Sequence, residues 1–159
     1  MRFLLAAAAL FGTVAANAGA SPPAYMDDRS DAVALVRSYY NALSRKEFAR
    51  AWNYRGERKP AADFATFEAK YRDIATAELA FGPVSAEGAA GSWYYRLPVA
   101  VRVTREDGSE DQSAGCIVAR LANPQIQGVP FRPMHIVSDT LAAASGPLED
   151  SLPASCRDD

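Results

Sequence analysis

Residues Ser92–Arg105 read SWYYRLPVAVRVTR and carry the clearest strand pattern in the chain. Every second residue from Trp93 to Val103 is apolar, and two arginines lie among the residues between them. Side chains of a β-strand point alternately to its two faces, so the pattern predicts a long strand with one buried face. Pro98 within the strand predicts either a bulge or a position where no amide donor is needed.

Further strands are predicted on both sides of this one. Asp107-Gly108 predicts a tight hairpin turn, followed by a return strand over about residues 109–121. A last strand is predicted over about 131–142, and a strand interrupted by Gly82-Pro83 over 77–87. The second half of the chain therefore predicts an antiparallel sheet.

Three helices are predicted before the sheet. Apolar residues at helical spacing run from about residue 31 to 43, with Ser30 as N-cap. Ser44 and Glu47 match a capping box, which predicts a second helix from near residue 45, and Asp63 is placed to cap a third. Helices and strands that are segregated along a chain indicate an α+β fold, with the three helices packed on one face of the sheet.

The composition limits the class of protein. The chain has 159 residues, of which 49% are hydrophobic and 23% charged, and a formal net charge of −2. This size and apolar content indicate one folded domain rather than a disordered chain. The charge excludes the strongly basic surface of a general nucleic-acid binder, so no nucleic acid is expected as a partner.

The first twenty residues predict a secretory signal peptide. Arg2 is followed by an apolar run over residues 3–16 and then by small residues suited to cleavage after Ala18 or Ala20. The alternative, a membrane anchor, needs about 20 apolar residues. We therefore expect a periplasmic or secreted protein without stable membrane insertion. The expected organisation is a signal peptide at 1–20, an extended lead-in at 21–30, one domain at 31–142 and a C-terminal tail at 143–159.

Cys116 and Cys156 are the chain's two cysteines. In an oxidising compartment such a pair favours a disulfide, which would tether the tail, and two free thiols are the alternative. Two cysteines and one histidine do not supply a zinc ligand set, so neither a metal nor another cofactor is expected.

Several segments carry a family resemblance. They are YYNAL at 39–43, YYRLPV at 94–99, DG at 107–108 and FRPMHI at 131–136. With them, residues 31–142 resemble the NTF2-like superfamily, and more narrowly the small exported bacterial members that have no assigned function. The resemblance implies a cone-shaped α+β domain with a pocket between its helices and a curved sheet. In this superfamily the pocket serves some members as an enzyme site and others as a binding cleft.

Two residues are candidates for catalysis. The steroid isomerases of this superfamily use a tyrosine on the first helix and an aspartate after the second, and Tyr39 lies at a similar position. The segment after Tyr54 is basic, and Glu57 within it is poorly suited to act as a general base. His135 is the one histidine, and on a regular strand it shares a face with Asp139 but lies too far from it for a direct pair.

Aromatic side chains and His135 are candidates for binding a ligand, although aromatic rings equally fill the cores of small domains. The predicted ligand-binding residues are Tyr39, Trp52, Trp93, Tyr95 and His135. A separate basic cluster at Arg55, Arg58 and Lys59 is suited to an anion, although such residues often only solvate a surface.

Together these patterns predict an exported, non-catalytic binding or accessory protein whose partner is an unknown small ligand or an envelope protein. One alternative is a cone-fold isomerase or dehydratase that uses Tyr39 or His135. Another is a cell-envelope interaction module that forms a homodimer through the open face of the sheet.

Overall fold

Three helices precede a six-stranded antiparallel sheet in a computed structural model that describes residues 21–156. The helices are α1 (Ala32–Ser44), α2 (Phe48–Tyr54) and α3 (Phe64–Tyr71). The strands are β1 (Ile74–Phe81), β2 (Ser85–Ala89), β3 (Ser92–Arg105), β4 (Glu110–Ala122), β5 (His135–Asp139) and β6 (Ala142–Ala143). The predicted α+β class is confirmed. The predicted signal peptide lies outside the described residues.

The long hairpin of β3 and β4 is the centre of the sheet. The strand order is β1-β3-β4-β5, with β2 pairing the other half of β3 and β6 pairing β4. Strand β3 has the bounds that its alternation predicts, and it contains no bulge. The carbonyl of Pro98 accepts a hydrogen bond from the Gly82 amide at 2.9 Å, at the gap between β1 and β2. Proline is tolerated there because β1 ends at this position.

The helix starts differ from the prediction at two points. Asp31, not Ser30, caps α1, because its carboxylate accepts from the Ala34 amide at 2.8 Å. The predicted capping box is wrong: Ser44 is buried in the last turn of α1, and α2 begins only at Phe48. The Glu47 carboxylate binds arginine side chains instead of a backbone amide.

The sequence predicts the cap of α3 correctly and the extent of the last strand incorrectly. Asp63 caps α3 as predicted, accepting from the Thr66 amide at 2.7 Å. The last strand is shorter than the predicted 131–142, because residues 131–134 form a loop and a break separates β5 from β6.

The core fills the space between the helices and the sheet. Tyr39, Tyr54 and Phe67 are fully buried there, against Leu97 and Val99 of β3. This is the architecture that the NTF2-like resemblance implies, but aromatic side chains occupy the region where the resemblance places a pocket.

The C-terminal tail packs on the other face of the sheet. Leu148 is buried with Ala80 and Ala100, and a disulfide joins Cys116 of β4 to Cys156. The homodimer alternative places its interface on the open face of the sheet, and the C-terminal tail covers part of that face. No helix within residues 21–156 combines the length and apolar character required to span a bilayer.

Candidate functional site

The register of β4 and β5 brings two basic side chains together. Arg120 is opposite His135, and Ala119 is opposite Ile136. Ala119 and Ile136 belong to the core beneath the helices. Because neighbouring residues of a strand point to opposite faces, Arg120 and His135 lie on the face that is turned away from the helices.

A bulge in β5 separates His135 from Asp139. Val137 is an extra residue in β5, and it has no partner in β4. Asp139 is therefore opposite Ile117, a core residue on the helix side. The expectation that His135 and Asp139 share a face is wrong, because that expectation assumed a regular strand.

Arg55 forms an ion pair with the Asp139 carboxylate on the helix side of the sheet. Its Nη2 lies 2.5 Å from Asp139 Oδ2, its side chain is only 7% exposed, and its guanidinium lies 5.1 Å from the centre of the Tyr39 ring. Its Nε has no hydrogen-bond partner in the described part of the chain. Arg55 also forms a backbone bridge with Ile136, so this residue joins the end of α2 to β5.

The imidazole of His135 packs against the backbone of Gly56, the residue that follows Arg55 in the chain. A Cβ added to Gly56 would lie 2.5 Å from Cδ2 of the imidazole and 2.9 Å from its Nε2, so only glycine fits without displacing the ring. The His135 Nδ1 lies 3.1 Å from the Pro133 carbonyl. This contact places the proton of the neutral ring on Nδ1 and leaves Nε2 free to accept.

The pKa of His135 reports the electrostatics of the site. Burial lowers the pKa most, and the charges of Arg120, Arg132 and Arg29 lower it further, outweighing the hydrogen bond to Pro133 that raises it. The positive potential around His135 therefore comes from three arginines that lie on three different segments of the chain.

A cavity of about 500 Å³ opens at this edge of the sheet, and we call it the basic pocket. The basic side chains among its lining residues are Arg29, Arg55, Arg58, Lys59, Arg120, Arg132 and His135. Phe131 and Val137 contribute apolar surface. Glu57 is the one acidic residue of the lining, and it is mostly exposed and paired with Arg132 at 3.2 Å.

Two of these arginines have no carboxylate partner in the part of the chain that the structure describes. Arg58 makes no hydrogen bond or ion pair within residues 21–156. Arg120 donates to the Ser92 hydroxyl at 3.1 Å and lies over the Tyr94 ring. Lys59, in contrast, donates to carbonyls at the end of α2 and so has a structural role. A guanidinium without a carboxylate partner is suited to bind a phosphate or a carboxylate.

Of the residues predicted to bind a ligand, only His135 lines the basic pocket. Tyr39 lies in the core on the opposite face, where burial raises the pKa of its hydroxyl, which has no hydrogen-bond partner within residues 21–156. Trp52 packs edge-on against Phe67. Trp93 is half exposed at one end of β3, and Tyr95 packs against the core. The structure does not bring these aromatic residues together with His135.

Sequence reasoning missed Arg29, Arg120 and Arg132. A signal for the last two was present, because residues 112–138 contain no Asp or Glu while they include both arginines and His135. Across residues 21–156, no group of three or more histidine, cysteine or acidic side chains is arranged to hold a metal ion.

The helices, sheet and site together describe an NTF2-like α+β fold with a basic pocket at one edge of its sheet. An NTF2-like superfamily protein from Salmonella enterica subsp. enterica serovar Typhimurium str. LT2 is similar in structure, with a TM-score of 0.48 and 9% sequence identity. The match covers 70% of this chain and 87% of that one. No protein-family model matches the sequence, and no curated protein matches it.

Proposed function

We propose that this is a non-catalytic binding protein that holds an anionic group, a phosphate or a carboxylate, in the basic pocket. The observation that carries the proposal is that Arg58 and Arg120 line the pocket without a carboxylate partner in residues 21–156. The charges of Arg29 and Arg132 add to theirs around His135.

The positive charge of the pocket is a local property. The whole chain has a formal net charge of −2, so its average surface does not attract anions. Arginines from the lead-in, from the segment after α2, from β4 and from the loop before β5 converge on one cavity. Clustered charges in a concave site focus the potential, which favours an anion of matching size.

Binding is favoured over catalysis by the positions of the candidate acids and bases. General acid–base catalysis requires groups within hydrogen-bond reach of one substrate. His135 lines the pocket, but the Tyr39 hydroxyl is buried on the other face of the sheet and the Asp139 carboxylate is paired with Arg55. The isomerase or dehydratase alternative would need two of these groups at one site.

Thermal unfolding in inorganic phosphate tests the proposal. A ligand at 100 times its dissociation constant stabilises a folded protein by about 2.7 kcal/mol. Phosphate, compared with sodium chloride at equal ionic strength, should raise the unfolding temperature of the wild type. Arg58→Gln should reduce this effect. Arg72→Gln is the matched control, because Arg72 is also exposed and lies outside the pocket.

Two results would contradict the proposal. Equal phosphate effects in Arg58→Gln and Arg72→Gln would place the bound anion elsewhere on the surface. No stabilisation of the wild type by either phosphate or citrate, relative to sodium chloride, would remove the basis for an anion site.

We also propose that the protein is exported and works outside the cytoplasm. The signal-peptide pattern of residues 1–20 supports this, and so does the disulfide between Cys116 and Cys156, because such bonds persist in oxidising compartments. The ligand would then be an anionic molecule or surface of the periplasm or the cell exterior.

A further inference from the structure

The loop between β4 and β5 carries three exposed apolar side chains, which we call the apolar tip. They are Ile126, which is 70% exposed, Val129, which is fully exposed, and Phe131, which is 59% exposed. Seven large hydrophobic side chains are exposed in residues 21–156, and these three lie within six positions of one another. Single exposed apolar residues are ordinary, but such a cluster on one loop usually marks an interaction site.

The apolar tip adjoins the basic pocket. Phe131 lines the pocket itself, and Ile126 and Val129 line a neighbouring cavity of about 410 Å³. Arg120 and Arg132 line both cavities. The apolar side chains and the cations therefore occupy one continuous surface at this end of the sheet.

Two further features belong to this surface. No acidic residue occurs in residues 112–138, so the loop carries no charge that would repel an anion. Ile126 lies against the turn between β2 and β3, where a Cβ on Gly91 would meet its Cδ1 at 3.0 Å.

We propose that this end of the protein docks on an anionic phospholipid membrane. The apolar tip enters the boundary between headgroups and acyl chains, and the basic pocket binds a headgroup phosphate. This inference rests on the proposed function. An anionic bilayer presents negative charge and apolar material within a few ångströms of each other, which matches the adjoining cations and apolar side chains.

A second copy of the chain fits this surface less well. In a two-fold symmetric dimer the same patch of both subunits meets, so Arg120 and Arg132 would approach their own counterparts. The loop offers no carboxylate to separate these like charges, and Glu57 of the pocket lining is already paired with Arg132. A lipid surface brings the opposite charge instead.

Vesicle flotation tests the inference on the protein purified as its host processes it. The vesicles contain phosphatidylglycerol and phosphatidylcholine in equal amounts, or phosphatidylcholine alone. Binding of soluble sn-glycerol 3-phosphate to the basic pocket is measured separately, as an increase in the unfolding temperature. The variants are Ile126→Ser/Val129→Ser in the tip, Arg120→Gln in the pocket, and Val84→Ser, an exposed apolar residue elsewhere, as the matched control. All share the same N-terminal sequence, so differences between them report the loop and the pocket.

The wild type and Val84→Ser should float with the anionic vesicles and not with pure phosphatidylcholine. The tip variant should lose about tenfold in vesicle affinity and keep its response to glycerol phosphate. Arg120→Gln should lose about fivefold in vesicle affinity and part of its response to glycerol phosphate.

Three results would overturn the inference. If glycerol phosphate stabilises the wild type but anionic vesicles do not bind it, membrane docking is wrong while the proposed function stands. If the tip variant floats as the wild type does, the apolar tip has no role. If the wild type forms a dimer that the tip variant does not, the surface belongs to a second copy of the chain.

Discussion

The ion pair of Arg55 and Asp139 should make Asp139→Asn more costly than Arg55→Leu. The Arg55 side chain is 7% exposed, whereas that of Asp139 is 30% exposed. Without its carboxylate partner the guanidinium stays charged and buried, and its Nε already has no partner in the described residues. Removing one partner of a buried pair costs about 3 to 5 kcal/mol, so we expect a loss in this range.

The opposite substitution leaves a group that water can reach. In Arg55→Leu the Asp139 carboxylate can be hydrated, and leucine retains apolar contact with the Tyr39 ring. We therefore expect a loss of about 1 to 2 kcal/mol in the free energy of unfolding. The double variant should be more stable than Asp139→Asn alone, because it no longer contains an unpaired buried charge.

Equilibrium unfolding in urea measures these differences. With a denaturant slope of about 2 kcal/mol per molar, Asp139→Asn should lower the midpoint by about 2 M. Glu57→Gln is the matched control, because the Arg132–Glu57 pair has two exposed partners and should contribute less than about 1 kcal/mol. If Asp139→Asn costs no more than Glu57→Gln, or if adding Arg55→Leu does not restore stability, Arg55 is not held as a buried charge.

Three other predictions follow from the tail, the pocket and the N-terminus. Replacing Cys116 and Cys156 with serine should lower the free energy of unfolding by up to about 4 kcal/mol, because the disulfide joins residues with a sequence separation of 40. If unfolding in urea shows a loss below about 1 kcal/mol, other contacts hold the tail. Stabilisation by sulfate should increase as the pH falls from 8 to 5.5, because a bound anion favours the protonated form of His135. In the free protein, burial and the nearby arginines lower the pKa of this residue. The same pH dependence in His135→Asn would assign it to another group. The intact mass of the exported chain should correspond to a start at Gly19 or Ser21, and an uncleaved mass would contradict the signal peptide.

The fold was predictable because its main signals are local. The alternation in β3 depends only on neighbouring residues and on one buried face, and the bounds Ser92–Arg105 were recovered from it. Asp63 was recovered as a cap for the same reason. The start of α2 was missed because the Glu47 side chain can bind either a backbone amide or a nearby arginine. The fold selects Arg45 and Arg50, with Lys46 in a left-handed turn at φ 60°.

The site was only partly predictable because it depends on contacts between distant segments. The cluster of Arg55, Arg58 and Lys59 is visible in the sequence, yet Arg55 joins α2 to β5 and Lys59 donates to carbonyls at the end of α2. Arg120 enters the site through the β4–β5 register, which a single sequence does not specify. The aromatic side chains of Trp52 and Tyr39 likewise suit either the core or a binding cleft. Only the packing of the folded chain shows which of these places each side chain occupies.

One inserted residue in β5 decides what chemistry this edge of the sheet can perform. On a regular strand His135 and Asp139 would share a face, and the carboxylate would add negative charge to the site of the three arginines. The bulge at Val137 turns Asp139 to the helix side, where it neutralises Arg55. The outer face then keeps its imidazole and its cations without a carboxylate from β5. A site of that composition is suited to hold an anion.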